Sequence, residues 1–469
     1  MEIIMQRTIV TLAVSAALAG CAIGPDYQRP AMDLPAAQAT SPSAVAPSPS
    51  GRWWAGFQDA ELDRTIDEAL KNNQDLVVAA ARVSEAQAQL GLAVSDQVPT
   101  AYASASRERN RNSADSSRSG PGQPLQSTTN RAALNVSYEI DFWGKYRRAT
   151  EAARADLLAV QANRDALLLS LTAQVAQGYY NLLALDAKLA ATRQAIVRAE
   201  DGFALQNKRL EAGVISEFEF QQRAAEVDAA RGLMPPLLSQ LGQQERALGV
   251  LLGRSPRAIL QDVPVRSPTF KPAGKVFLPA GLSSDVLLRR PDIVAAEQNL
   301  IAANARIGVA RAAYFPSITL TGLLGSESSS LANLFSGPAR IWNFAGNLTQ
   351  PLWGAGRINR QVDAAEARNE QFVAQYKSAV ANAFREAQDA IQGQAAASEV
   401  FDIEQRRVTA LARSWELAKL RYNNGIASQL DVIDAERNLL LAELNRIEAE
   451  RGYRAAVADF YKALGGAPL

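Results

Sequence analysis

No histidine occurs in the 469 residues, and only one cysteine. The first absence removes the commonest general base, the imidazole relay of serine hydrolases and the usual imidazole metal ligand. The second removes any intrachain disulfide or thiolate metal cluster. A charge excess is missing as well: 49 basic side chains face 48 acidic ones, so the basic footprint of a nucleic-acid binder is absent. Long apolar runs are lacking. The best candidate, Ile9 to Leu18, is about half of the ~20 residues that span a bilayer as a helix. Neither a nucleophile motif, a phosphate loop nor a metal-ligand spacing can be found, and no enzymatic activity is expected.

What is present begins at the N-terminus. Residues 1–20 read as a secretion signal, with Arg7 as its positive region and Ile9 to Leu18 as its apolar region. Glu2 suits a signal poorly, which favours Met5 over Met1 as the start. Leu18-Ala19-Gly20-Cys21 resembles a lipobox. That resemblance implies a diacylated, N-acylated Cys21 as the only covalent group and no other cofactor; Ala22 in place of Asp implies export to the outer membrane. The alternative is a lone buried cysteine beside an ordinary cleavage site. Residues 21–52 are rich in Pro, Ala and Ser, a composition that buries no core and is expected to be extended.

From Trp53 onward one pattern is written twice, about 210 residues apart. Asn73-Gln74-Asp75 to Pro99 matches Arg290-Pro291-Asp292 to Pro316, with Gly91 on Gly308. Phe142-Trp143-Gly144 matches Leu352-Trp353-Gly354. Arg209, Gly213 and Ser216 match Arg421, Gly425 and Ser428, and Leu252-Gly253 matches Leu464-Gly465. Two equivalent halves follow, residues 53–264 and 285–469, joined by a linker over 265–284.

Each half predicts the same order of elements. Leu62 to Val98 and Asp285 to Ala313 are Ala-rich with apolar residues at helical spacing. Two strands follow in each half, at about 99–110 and 129–142, then about 314–326 and 340–353. Alternation is strict in Ala133 to Phe142, with Leu134, Val136, Tyr138 and Ile140 opposite Asn135, Ser137, Glu139 and Asp141. Trp342, Phe344, Leu348 and Leu352 likewise oppose Asn343, Asn347 and Thr349. Then come intervals free of proline, Pro124 to Pro235 and Pro351 to Pro468, dominated by Ala, Leu, Gln, Arg and Glu. Gly144 to Glu211 as one helix is roughly 100 Å long at ~1.5 Å per residue. Each interval is broken once, at Gly213 with Ser216 and at Gly425 with Ser428. A glycine stop and a serine restart with an acid three places on predict tight αα-hairpins.

Alternating strands fit either a soluble half-exposed sheet or a lipid-facing barrel. Four strands cannot close, and lipid tolerates no open edge. Two copies would give a narrow, filled barrel of eight strands; three would give twelve and leave room for a lumen.

The ordered set of lipobox, Gly24-Pro25-Asp26-Tyr27, Trp53-Trp54, Arg289-Arg290-Pro291-Asp292, Tyr314-Phe315-Pro316, Arg421-Tyr422-Asn423-Asn424-Gly425, Leu430 to Arg437 and Tyr461 to Gly466 resembles the outer-membrane efflux protein family, the TolC- and OprM-like lipoproteins of NodT type. The resemblance covers nearly the whole mature chain. It implies a mainly α chain with a membrane β-barrel: a homotrimer whose twelve-strand barrel crosses the outer membrane and continues as a periplasmic α-helical barrel. It also implies a passive exit duct for drugs or other small toxic compounds, served by a periplasmic membrane-fusion adaptor and an inner-membrane RND transporter. Outer-membrane lipid is a further partner, and nucleic acid is not.

On that resemblance, Asn135, Ser137, Glu139, Asp141, Asn343 and Asn347 are expected to face the lumen, because polar groups on the lipid side are costly. Leu430 and Asp434 share a helix face and Arg437 follows three residues on. The family places the matching leucine and aspartate at the periplasmic constriction and lets the arginine tether it. The competing reading of Asp434 and Arg437 is a solvated surface pair. A periplasmic coiled-coil adaptor would share the hairpins but lack lipid-facing strands.

Overall fold

The computed structural model describes residues 22–34, 51–113, 124–267, 270, 287–354 and 356–466. The signal segment, Cys21 and most of the linker over 265–284 lie outside the described residues.

In chain order the elements are α1 (Ala60–Asn72), α2 (Gln74–Ser95), β1 (Thr100–Arg111), β2 (Gln126–Glu139), α3 (Lys145–Glu211), α4 (Glu217–Gly232), α5 (Met234–Leu251), α6 (Pro256–Gln261), α7 (Pro291–Ala312), β3 (Ser317–Ser328), β4 (Arg340–Thr349), α8 (Arg357–Asn423) and α9 (Gln429–Ala463). The mainly helical chain with four strands and two repeats is the one that the alternation and the helix texture require. Both α3 and α8 run for 67 residues without a break. Among the described residues no helix is long and apolar enough to cross a membrane.

The stretch Leu62 to Val98, read from sequence as one helical segment, is two helices. Asn73 separates them: its Nδ2 donates to the Leu251 carbonyl (2.9 Å), while its Oδ1 accepts from the Asp75 and Leu76 N–H groups (2.9 and 3.2 Å). A buried asparagine thus closes one helix and caps the next.

By its contacts the chain divides into two compact units. One draws on Met1–Ala31, Val83–Val160 and Ala296–Tyr376 and contains the sheet. Its four strands lie in the order β1-β2-β3-β4, all antiparallel, so the central β2–β3 pairing joins the two repeats. Strands β1 and β4 are left as edges. Helices α3 and α7 meet here through small side chains, Ala152 and Ala155 with Ala302 and Ala305. Residues 22–31 are strapped onto the same helices. The Ile23 N–H donates to the Trp143 carbonyl (3.1 Å), Arg148 pairs with Asp26 (2.7 Å), and Asn304 donates to the Pro25 carbonyl (2.8 Å). Tyr27 and Arg29 both bond Glu297, at 2.9 and 2.7 Å. Burial and that carboxylate together push the Tyr27 hydroxyl well above the ordinary tyrosine range.

The other unit draws on Met32–Arg82, Gln161–Ala295 and Lys377–Leu469 and contains the main core. Asp59 caps α1 by accepting from the Glu61 and Leu62 N–H groups. Leu62, Ile66 and Ala69 of α1 are buried against Tyr179, Tyr180 and Leu182 of α3, Leu248 of α5, and Tyr453 and Val457 of α9. Fully burying each large side chain contributes about 1.5–3 kcal/mol. Trp53 stacks on Tyr461 at 5.2 Å, which draws the start of this unit against the end of α9. Beneath lies a buried charged cluster: Glu450, fully buried, accepts from Arg446 (3.0 Å) and Arg454 (2.9 Å). The Arg454 guanidinium lies over the Tyr180 and Phe270 rings. Burial dominates there and pushes the Glu450 carboxyl above the usual range despite its two arginines.

Candidate functional site

Residues directly opposite one another in an antiparallel pair point to the same face, so the register sorts the sheet. Asn135 pairs with Tyr102 on one side and Leu323 on the other, and Leu323 pairs with Asn343. Ser137 lies between Thr100 and Thr321, and Glu139 is opposite Thr319, itself opposite Asn347. Five of the six residues expected on a lumen wall therefore share one face: Asn135, Ser137, Glu139, Asn343 and Asn347. The same register adds Thr100, Tyr102, Ser104, Ser106, Thr319 and Thr321. The sequence of β1 gives these residues no clear signal, because its other face begins with Ala101, Ala103 and Ala105, which carry little hydrophobic contrast.

Asp141 does not join them. The strand ends at Glu139, and Asp141 turns its oxygens to the first turn of α3, accepting from the backbone N–H of Tyr146 (3.1 Å) and Arg147 (2.9 Å). An acid at that position satisfies orphan donors and opposes the positive end of the helix dipole. Glu139 is partnered too, by the Tyr146 hydroxyl (2.8 Å) and Lys145 Nζ (3.2 Å), so the base of the polar face carries little uncompensated negative charge.

Apart from its loop end, the opposite face is apolar and exposed. Leu134 and Val136 of β2, Leu320 and Leu324 of β3, and Trp342, Phe344 and Leu348 of β4 lie on it. Trp342 is 72% exposed and Phe344 78%. A contiguous stripe of this kind on a sheet with two open edges is unstable in water; it calls for lipid and for further strands. At the strand–helix junction Trp143 stacks on Phe315 (4.6 Å) and donates from Nε1 to the Pro316 carbonyl (2.8 Å). That contact joins a motif of the first repeat to its neighbour in the second.

At the hairpins the two turns are nearly identical. Gly213 and Gly425 both adopt left-handed backbone, at φ +67° and +74°. Each donates back three residues, and the next N–H closes a six-residue ring, Val214 to Arg209 and Ile426 to Arg421, both 2.9 Å. The restart is a reciprocal capping box in both cases, Ser216 with Glu219 and Ser428 with Asp431. The serine backbone N–H and hydroxyl hold both carboxyls below their ordinary values.

Beyond the turns the tips differ. Phe218 is 70% exposed at the first, and Leu430 is 49% exposed at the second. Asp434 and Arg437 form a direct ion pair one turn beyond Leu430, each about half exposed. The two hairpins are also tied to each other. Arg223 of α4, 4% exposed, pairs with Glu436 of α9 at 2.7 Å and donates to the Arg198 carbonyl at 3.1 Å. Its guanidinium lies flat on α3 at Gly202, where a Cβ would sit about 2.0 Å from Nη2. Tyr422 receives Gln206 (2.8 Å) and lies under the Arg209 guanidinium, and Gln429 donates to the Glu219 carbonyl (3.3 Å). No periodicity marks Arg223 or Glu436 among the many charges on these helices; only the repeated Arg209 and Arg421 hinted that basic groups matter near the turns.

Comparison with known proteins agrees with this geometry. Residues 65–254 and 282–466 match the Outer membrane efflux protein family. The chain is similar to the cation efflux system protein CusC of Escherichia coli (strain K12), 33% identical over 98% of this chain and 99% of that one. It is 36% identical to the outer membrane protein OprJ of Pseudomonas aeruginosa, over 98% of this chain and 95% of that one. The crystal structure of the Campylobacter jejuni CmeC outer membrane channel superposes with a TM-score of 0.89 at 29% identity, covering 95% of each chain. With a lipid-seeking sheet, paired repeats and long hairpins in the same order, the chain belongs to the Outer membrane efflux protein family: it is the outer-membrane channel of an efflux pump, and it extends into the periplasm.

Proposed function

We propose that three copies close their four-strand sheets into one twelve-strand barrel and act as the passive exit duct of a tripartite, RND-type pump for drugs or other small toxic compounds. The observation that carries this reading is the sheet itself, which has two open edges, one bare apolar face and one polar face. Lipid leaves no alternative to closure, and three copies supply enough strands for a lumen wider than side chains can fill. The polar face then lines the duct, with Asn135, Ser137, Glu139, Asn343 and Asn347 on it. A periplasmic membrane-fusion adaptor and an inner-membrane transporter supply the energy; this chain supplies none.

The lipid on Cys21 belongs to the same proposal. The strap puts Ile23 against the Trp143 carbonyl, at the base of the sheet, so an acyl group two residues earlier would enter the adjoining leaflet. Residues 53–264 and 285–469 act as the two repeats, with 265–284 as their linker.

The second hairpin forms the gate. Three Leu430 side chains make an apolar plug, three Asp434 carboxylates a ring attractive to cations, and Arg437 restrains it. The bland account, an exposed Asp434–Arg437 pair of little worth, predicts no effect on conduction. Asp434→Ala with Arg437→Ala should raise single-channel conductance in planar bilayers, whereas Phe218→Ala with Gln222→Ala at the first tip should not. Unchanged conductance in the first variant removes these residues from the gate.

A further inference from the structure

We infer that the outer end of the barrel wall carries a binding site for the phosphates of an outer-leaflet glycolipid, built on Arg107, Arg109, Arg111 and Arg340. The inference rests on the barrel reading above and adds a ligand to it.

On β1 the lipid-facing positions change character along the strand. Ala101, Ala103 and Ala105 are followed by Arg107, Arg109 and Arg111, all exposed. The strand leaves α2 at Thr100, so the arginines lie toward the loop end, away from the helices and the periplasm. The register fixes the face: Arg107 is opposite Asn130 and Arg109 opposite Thr128, on the side that continues through Leu134 and Val136. At the other edge Arg340 lies on the same face, one pleat beyond Trp342 toward the loops, and is exposed.

Arginine three times over on the hydrocarbon face is costly at the bilayer midplane and nearly free at the headgroups. Trp342 independently marks that level, since tryptophan collects at the interface. The sheet also shows what an arginine there does when an acid is provided: Arg131, on the polar face, pairs with Glu327. The lipid-side column has no such provision. No acidic residue shares its face among the described residues, and the one hydrogen bond drawn from it is Arg109 to the Gln126 side chain (2.9 Å). Guanidinium groups at every second position stand roughly 7 Å apart. Held that close they repel one another unless anions lie between them. A phosphate accepts two parallel N–H bonds from a guanidinium, and a glycolipid with two phosphates bridges two or more. Its acyl chains would lie along the apolar stripe below, on Leu134, Leu324 and Phe344. Closure of the barrel sets β1 of one copy beside β4 of the next, which brings Arg340 to the same column.

The test uses the purified full-length channel in detergent and measures retained lipid by native mass spectrometry. Bisphosphorylated lipid A should bind at least about tenfold better than lipid A stripped of both phosphates, and about tenfold better than to Arg107→Gln/Arg109→Gln/Arg111→Gln. Arg360→Gln/Arg385→Gln, on exposed arginines of α8, should bind as the unaltered channel does. Equal retention of the stripped lipid, or equal retention by the triple variant, overturns the site. Phosphatidylglycerol competing as well as lipid A also overturns it, because the column would then read any anionic headgroup. The comparison of the two lipid A forms needs only the unaltered protein, so a variant that fails to assemble does not blunt it. Conductance reports on the channel separately: conduction without lipid A selectivity ends this inference alone, and no conduction even from Asp434→Ala/Arg437→Ala, whose gate is released, ends the barrel reading.

Discussion

In the first hairpin the return arm breaks after 16 residues, at Gly232, and restarts as α5 over Pro235 and Pro236; in the second it runs 35 residues, Gln429–Ala463, without interruption. The turns before these arms share their backbone hydrogen bonds and their capping boxes. Duplication therefore preserved the chemistry that reverses the chain and let the arms diverge. Proline in a first turn removes donors that were orphans anyway, so the break at Leu233 costs little and relieves α4 of the need to be collinear with α5. The acid proposed for the gate stands on the unbroken arm. What holds the two arms in step is the Arg223–Glu436 pair, dry on the arginine side, and not the exposed Asp434–Arg437 pair nearby.

That contrast gives the largest expected effect. Arg223→Ala strands Glu436 in a site only 14% exposed and empties the space over Gly202, so unfolding of the solubilised channel should lose about 3–5 kcal/mol. Asp434→Ala or Arg437→Ala should lose less than about 1 kcal/mol each. If Arg223→Ala proves no worse than Asp434→Ala in denaturant, the hairpins are not coupled through this pair and the two arms move independently.

A smaller effect tests the sameness of the turns. Ser216→Ala and Ser428→Ala each remove the acceptor for an N3 backbone N–H and should each cost about 1 kcal/mol. Hydrogen exchange of the first-turn amides of α4 and α9 reads this directly. Losses that differ several-fold would mean that the two capping boxes, alike in geometry, are not alike in energy, and that the arms feed back on the turns.

The hairpin turns were legible because their signals are local: a left-handed position needs glycine, and a capping box needs serine and an acid three residues apart. Strand β2 was legible because Leu134, Val136 and Tyr138 contrast sharply with Asn135, Ser137 and Glu139. Strand β1 was faint because its lipid face is alanine and then arginine, which no hydropathy pattern distinguishes from a loop. Asp141 continued the alternation of β2 yet caps α3, since period two carries no mark of where a strand gives way to a helix. Arg223 and Glu436 are 213 residues apart, and only packing of the two hairpins brings them together. Local chemistry writes itself into sequence, whereas coupling between repeats does not.

Acid should separate the turns by the smallest margin. Glu219 and Asp431 are each held below the ordinary carboxylate range by their serine, so each contributes stability above its unfolded pKa and loses it as pH falls through the folded value. The unfolded values differ, about 4.3 for glutamate and about 3.9 for aspartate. The first turn should therefore begin to loosen at a pH roughly 0.4 higher than the second. Exchange rates of the two tips, corrected for intrinsic pH dependence and followed from about pH 5 to 3, measure the order. The second turn opening first would show that the capping carboxylates do not set the acid response of the turns, and would break their equivalence at its finest point.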